Sequence, residues 1–484
     1  MIAQHFQLIG GLMGQEYATH AEKQRDALSK QMSELLSLKQ LPEAGWDEES
    51  IRMFIEEMST FDSNNFQGNV GVGEREGRVA CDLVSRRHFG LAHGIGRSGD
   101  VMAQQPKAAG SSAVVQLTRY LALDALHIAG IESATACCVL PAAIGMSLIL
   151  VFLALRKSRP EATHVVWSRV DKKAGFKAIS AAGLTPYVVE LQRKDGTDAL
   201  VTDVDGIAAA CKEIGHSKVL CICTTTSTSA PREPDRVDVI AKLAKDLDLP
   251  HVINNAHGLQ CLQCSGLVER ACAEGRVDAF VQSTDKTFMV PAGGAIVAGP
   301  GDALVNKVAA MYPGRASMSP LLDFFMTALF LGRSGWLQMR RERAENVAWL
   351  LTELHALAKK HGLRLLSCPG NELSLAVDIT SKRIAANADL LLDLCRRVAP
   401  GPRVALCLPY STSEVAGVVP EGVKVRGRTA QTVAGREFKA FGAHTDAYPS
   451  SFITIGCPLG TARQDLQRFL VALASALDES HSVA

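Results

Sequence analysis

The sequence predicts an α/β protein: a mostly parallel sheet with helices on both faces, preceded by a helical arm and followed by a small α+β unit. Three observations carry this expectation. The apolar runs THVVWS, TPYVVEL, KVLCICT, PHVINN, DAFVQS and GAIVAG read as strands. Helical stretches such as VTDVDGIAAACKEIG and RVDVIAKLAKDLD lie between them, giving repeated βα units. Strands this apolar belong inside a sheet that is covered on both sides. The chain of 484 residues is also too long for one ordinary domain. We expect a helical arm over residues 1–68, a large α/β domain over 69–320, and a connecting helix with a small C-terminal domain over 321–484.

The elements follow in order. Leu35, Leu36 and Leu38 recur at helical spacing in one N-terminal segment, and Ile51, Phe54, Ile55 and Met58 in the next. Between them LPEAGWDEES holds a proline, a glycine and an acidic first turn, which mark a helix start. The uncharged stretch ATACCVLPAAIGMSLILVFLAL, residues 134–155, has the length of a membrane span. Pro141 and Gly145 split it, so a buried strand, a turn and a helix are expected instead. After PGRASMSP, residues 313–320, LLDFFMTALFLG and RRERAENVAWLLTELHALAKKHG predict a long connecting helix. LSLAVDI and RQDLQRFLVALASALD then give a strand and an amphipathic helix of the small domain.

Composition narrows the class of function. A formal net charge of +1 argues against a uniformly basic nucleic-acid coat, and no DNA partner is expected. The N-terminus lacks a basic segment ahead of an apolar core, so a cytoplasmic address without a membrane anchor is expected. The 13 cysteines have no regular spacing and read as reduced thiols. Cys261 and Cys264 form the one CxxC; a lone pair lacks the four ligands of a structural zinc, so no metal is expected. Residues 402–440 carry an excess of positive charge, which suits an RNA contact and a solvated loop alike.

Lys286 organises the chemistry. It stands just past DAFVQS and ahead of a proline and two glycines in VQSTDKTFMVPAGGAIVAG. A lysine that forms a Schiff base needs a partly dry pocket, where desolvation frees its amine as a nucleophile. A pyridoxal phosphate site also needs a partner for the ring nitrogen and donors for the phosphate. Asn254, at the end of PHVIN and ahead of the turn NNAHG, is placed for the ring nitrogen. Ala143, Ile144 and Gly145 stand at a strand-to-helix turn, where backbone N–H groups favour an anion. Residues 69–112 are rich in glycine and arginine, and Arg75, Arg97, Ser98, Gln105 and Lys107 are candidate donors to a second phosphate. A surface loop with scattered cations has the same composition.

GVGEREGRVA, HGIGRSGD, QPKAAGSS, NNAHG, DKTFMVPAGGAI and MYPGRAS together resemble the O-phosphoseryl-tRNA(Sec):selenocysteinyl-tRNA synthase family of eukaryotes and archaea. The likeness runs from DSNNFQGN at residue 62 through PGRAS at 317, and more loosely over both ends. It implies fold type I of the pyridoxal phosphate enzymes and a homotetramer. The implied reaction converts phosphoserine on tRNA(Sec) to selenocysteine, with selenophosphate as the selenium donor.

By position, the resemblance makes Lys286 the cofactor lysine and Asn254 the ring partner. It puts Arg75, Arg97, Ser98, Gln105 and Arg315 around the substrate phosphate and Lys173 at an active-site position. Arg403 becomes a tRNA-reading residue, and residues 15–40 a helix that grips the tRNA. Residues 409–430 stand as an insertion, Lys172 replaces a common glutamine, and Ala273 falls where a basic residue is expected. A catalytically silent tRNA-binding protein on the same scaffold is the alternative, and it has no need of Lys286, Asn254 or Arg315.

Overall fold

Seven strands form the main sheet of the structure, a computed structural model that describes residues 2–380, 398, 399, 401–405 and 430–482. In chain order these strands are β1 (Ala136–Leu140), β2 (His164–Ser168), β3 (Thr185–Val189), β6 (Val219–Thr225), β7 (His251–Asn254), β8 (Ala279–Ser283) and β9 (Ala295–Gly299). The short pair β4 (Gln192–Arg193) and β5 (Leu200–Val201) forms a separate ribbon. The spatial order is β1-β9-β8-β7-β6-β2-β3, and only β9 runs antiparallel to its neighbours. Every residue of β6, β8 and β9 is buried, as continuous apolar runs in a sheet covered on both faces should be. The expected strands are all present.

Residues 134–155 resolve as the expected strand, turn and helix: β1, then Ile144–Ser158. Among the described residues no helix is long and apolar enough to cross a membrane.

The chain divides into two compact units, Met1–Ala125 with Gly314–Trp336, and Leu126–Pro313 with Leu337–Ala484. These bounds differ from the expected divisions at 68 and 320. In the first unit, Asp62 is fully buried, and its carboxylate accepts from Ser111 N at 3.0 Å at the start of the helix Ala109–Ile128. Ile95 bridges to Ala316 within the same unit. The glycine- and arginine-rich segment is thus fastened among the N-terminal helices.

Those helices follow the predicted pattern. Asp47 caps Glu48–Ser59 by accepting from Ser50 N at 2.9 Å, and Ile51, Phe54, Ile55 and Met58 are the buried face. The ring of Phe54 lies 5.9 Å from that of Phe325. The long helix Ser319–Lys360 is broken at Gly332, where φ is 59°. A Cβ there would lie 2.7 Å from Gly45 N, so only glycine fits the approach.

In the second unit the helices Val204–Ile214 and Val237–Asp246 pack on the sheet through Ile207, Cys211, Ile240 and Ala244. The small domain holds β10 (Arg364–Leu365), β11 (Ser374–Asp378), β12 (Arg403–Ala405) and β15 (Phe452–Gly456), ordered β10-β11-β15-β12 and antiparallel. A ribbon of β13 (Gln431–Val433) and β14 (Arg436–Phe438) lies before β15 in the chain. Its core joins Val377, Ile453 and Ile455 to Leu466, Phe469 and Leu473 of the helix Arg463–Ser482. Of the insertion expected at 409–430, all but Ala430 lies outside the described residues.

Candidate active site

The parallel strands β7 and β8 end side by side, with Asn254 opposite Val281. The chain leaves β8 into a single helical turn, Thr284–Phe288, whose residues Thr284, Thr287 and Phe288 take the buried side. Lys286 occupies the other side and is exposed. The sequence expects a desolvated lysine, and this chain does not give Lys286 one. The geometry of a one-turn helix anchored by its neighbours explains why. Its side chain lines a cavity of about 400 Å³ together with His257, Gln260, Met289, Leu373 and Leu459.

Asn254 is oriented by its own turn. Its Oδ1 accepts from Ala256 N at 3.2 Å, and its carbonyl accepts from Thr225 Oγ1 at 2.9 Å. With the amide oxygen engaged, Nδ2 is left as the outward donor, and it lies 3.7 Å from where a Cβ on Gly175 would stand. A donor amide meets an acceptor, so Asn254 fits an unprotonated ring nitrogen.

Ala143 stands at the N-cap of Ile144–Ser158 with extended backbone and no side-chain cap, which leaves first-turn N–H groups to an outside acceptor. A Cβ on Gly145 would meet only ordinary contacts at 3.8 Å, so packing does not demand the glycine there. Its lack of a side chain keeps the backbone open to an anion. Lys173 begins the helix Lys173–Ala181, is exposed, and sits 5.8 Å from the ring centroid of Phe441. Arg403 is exposed at the start of β12.

One group that sequence reasoning assigned no role joins them. Lys172 Nζ donates to Ser227 O and to His257 Nε2, each at 2.8 Å. Burial first, then the charges of Lys286, Arg403 and Arg232, push its amine down to about 7. His257 is held well below its ordinary value by burial, then by Lys172 and Lys286. Lys172 is half-buried, and so is the more enclosed of the two amines.

The first unit gathers the expected phosphate donors. Gly94 and Gly96 adopt φ of 72° and 77°, and a Cβ at either would lie within 2.6 Å of a backbone oxygen. Between them and Asp100 a tight turn pairs Arg97 N with Asp100 O at 2.9 Å, leaving the Arg97 and Ser98 side chains exposed. Arg315 is half-buried and donates through Nη2 to Gly94 O at 3.4 Å, while its buried Nε has no partner among the described residues. Burial and then the nearby Arg75 charge push its guanidinium below the usual arginine range. Asp62 opposes this from a distance, but among the described residues neither cation is paired with a carboxylate, and two such cations suit a polyanion. Gln105 is half-buried, with its N–H on Ser112 Oγ at 3.0 Å. Lys107 departs from expectation: it is paired with Glu76, which takes up its charge.

The fold and the lysine at the strand end define a pyridoxal phosphate enzyme of fold type I, with pyridoxal phosphate as its cofactor. Residues 61–478 match the family model described as O-phosphoseryl-tRNA(Sec) selenium transferase, and the chain belongs to that family. A relative of that name from Dictyostelium discoideum is 38% identical over 468 residues, covering 96% of this chain and 97% of the relative. One from Methanopyrus kandleri is 31% identical, covering 94% and 96%. The crystal structure of an archaeal O-phosphoseryl-tRNA(Sec) selenium transferase matches with a TM-score of 0.83 at 25% identity, over 96% of this chain and 98% of that one. Oryza sativa TDC with PLP and tryptamine, at 13% identity and a TM-score of 0.54 over 96% and 98%, shares the fold alone.

Proposed function

We propose that this protein converts O-phosphoseryl-tRNA(Sec) to selenocysteinyl-tRNA(Sec), with selenophosphate as the selenium donor. The observation that carries this reading is Lys286 on the wall of a cavity, just past the end of β8, with β7 ending alongside at Asn254, in a chain that matches the family over residues 61–478. Lys286 would hold pyridoxal phosphate covalently, with the N–H groups of Ala143, Ile144 and Gly145 toward its phosphate and Asn254 Nδ2 toward its ring nitrogen. Once bound, that cofactor supplies an electron sink for charge at the α carbon.

The protein's own residues do the rest. Lys286 Nζ takes the α proton as a general base. Arg75, Arg97, Ser98, Gln105 and Arg315 bind the substrate phosphate and stabilise the charge that builds as it leaves the β carbon. The resulting dehydroalanyl-tRNA accepts selenium at that carbon from selenophosphate as Lys286 returns the proton to the α carbon, and water takes the remaining phosphoryl group. Lys173 borders the cofactor, while Arg403 and the helix over residues 15–40 hold the tRNA, in a homotetramer.

The experiment is turnover of O-phosphoseryl-tRNA(Sec) with selenophosphate, with free phosphoserine as the control. Selenocysteinyl-tRNA should form and free phosphoserine should not react. Equal use of free phosphoserine rejects the tRNA-dependent reading. Failure of borohydride to fix the cofactor to the Lys286 peptide rejects the lysine assignment.

A further inference from the structure

We propose that Lys172 is a second functional amine of this site: a positioning residue that holds His257 at the wall of the Lys286 cavity and sets a titratable charge beside Lys286. The proposal rests on the reading that Lys286 carries the cofactor.

Lys172 precedes the helix Lys173–Ala181, and its Nζ ties the chain after β6, at Ser227 O, to the turn after β7, at His257 Nε2. Ser227 also fixes the His257 backbone, since its Oγ accepts from His257 N at 2.8 Å. A carbonyl only accepts, so one Lys172 proton always points to Ser227. While Lys172 is an ammonium it also donates to Nε2, and the His257 ring then keeps its proton on Nδ1.

The charges around Lys172 are of its own sign. Lys286, Arg403 and Arg232 face it, with Cys264 as the opposing thiol. His257 and His444 face it too, and its charge helps hold both rings neutral. Arg232 is already paired with Asp235 at 2.7 Å, and among the described residues no carboxylate pairs with Lys172. An amine so placed gives up its proton near neutrality. Like charges that share one site disfavour each other, and the Lys286 charge is among those that lower the Lys172 amine.

The test has two arms. In the first, cofactor-free protein is labelled with trace acetic anhydride across a pH series, and the Lys172 peptide is quantified by mass spectrometry. Its labelling should rise through a midpoint near 7, against 10.5 for an ordinary lysine. A midpoint at the ordinary lysine value overturns the proposal, whatever the fate of the cofactor. In the second, the loaded protein's visible absorbance is titrated. Lys172→Gln should move the midpoint up by about one pH unit, and Lys172→Arg, which keeps a charge there at every pH, should not move it up. An unmoved midpoint in Lys172→Gln also overturns the proposal. Loss of all visible absorbance in the parent counts against the cofactor reading, and leaves the labelling arm to decide the amine.

Discussion

Gln260 donates through Nε2 to the carbonyl of Lys286 at 2.9 Å. The same side chain accepts through Oε1 from Leu459 N at 3.3 Å, and its own carbonyl accepts from Arg343 Nη1 at 3.1 Å. Gln260 is buried, and its bonds to Leu459 and Arg343 are made away from water. The peptide of Lys286 is therefore fixed while its amine stays free to enter the cavity. The lysine's backbone is held by a glutamine from the turn after β7.

Replacing Gln260 with alanine should strip that anchor. Lys286 O and Leu459 N lose their partner, and a buried group left unpaired costs about 1–3 kcal/mol. Urea unfolding should show this as a lower midpoint with an unchanged slope. Cofactor trapped by borohydride at Lys286 should fall in parallel. A variant with parental stability and trapping removes Gln260 from this role.

Lys286→Ala should behave in the opposite way. The side chain is exposed and makes no hydrogen bond of its own among the described residues, so the stability should stay within about 0.5 kcal/mol of the parent. Visible cofactor absorbance and turnover should both vanish. Retention of either places the covalent attachment elsewhere.

Arg315 is a case where removal separates binding from folding. Among the described residues its guanidinium is repelled by Arg75 and makes one long bond, to Gly94 O, so Arg315→Ala should leave stability near parental. A charge-assisted phosphate contact is worth about 1.5–3 kcal/mol, so affinity for phosphoserylated tRNA should drop about 10- to 150-fold. Seryl-tRNA without the phosphate should bind the variant and the parent alike. Equal losses with both tRNAs contradict a phosphate role.

Much of this was legible in the sequence because burial leaves a local signature. The apolar runs that became β2, β3 and β6 to β9 needed no partner to be recognised, and Asp47 declared its helix by the acidic turn that follows it. The sequence could nominate Lys286 and Asn254 because each stands where a strand ends. Lys172 was not, because its meaning comes from Ser227 and His257, 55 and 85 positions away in the chain. Only the parallel register of β2, β6 and β7 brings them together. The grouping of residues 69–112 with the N-terminal helices was hidden for the same reason: Asp62 and Ser111 meet across 49 positions. Lys107 misled because a lysine beside glycines looks like a phosphate donor until its carboxylate, Glu76, is placed next to it.

His251 gives the fold a definable acid limit. It is fully buried in β7, with Nε2 2.8 Å from Thr224 Oγ1 and Nδ1 3.3 Å from the carbonyl of Arg276. A carbonyl takes the proton on Nδ1, and the hydroxyl donates to Nε2, so the neutral ring is satisfied on both sides. Charging it would set a proton against the hydroxyl without water to help. Burial accordingly pushes the imidazole down to about 4 from 6.5, against a smaller upward pull from the Arg276 carbonyl and Asp278. In the unfolded chain the ring takes up its proton near the ordinary value, so below it the unfolded state binds more protons than the folded one. The stability held above about pH 6.5 should therefore drain away as pH falls toward 4, by about 3 kcal/mol from this group. His257 and His444, both held low by burial, act in the same direction. His251→Gln removes this titration while keeping a donor and an acceptor in the side chain. Urea midpoints taken from pH 7 to pH 4 should fall less steeply in the variant than in the parent. Parallel slopes would mean that His251 is already protonated in the folded chain.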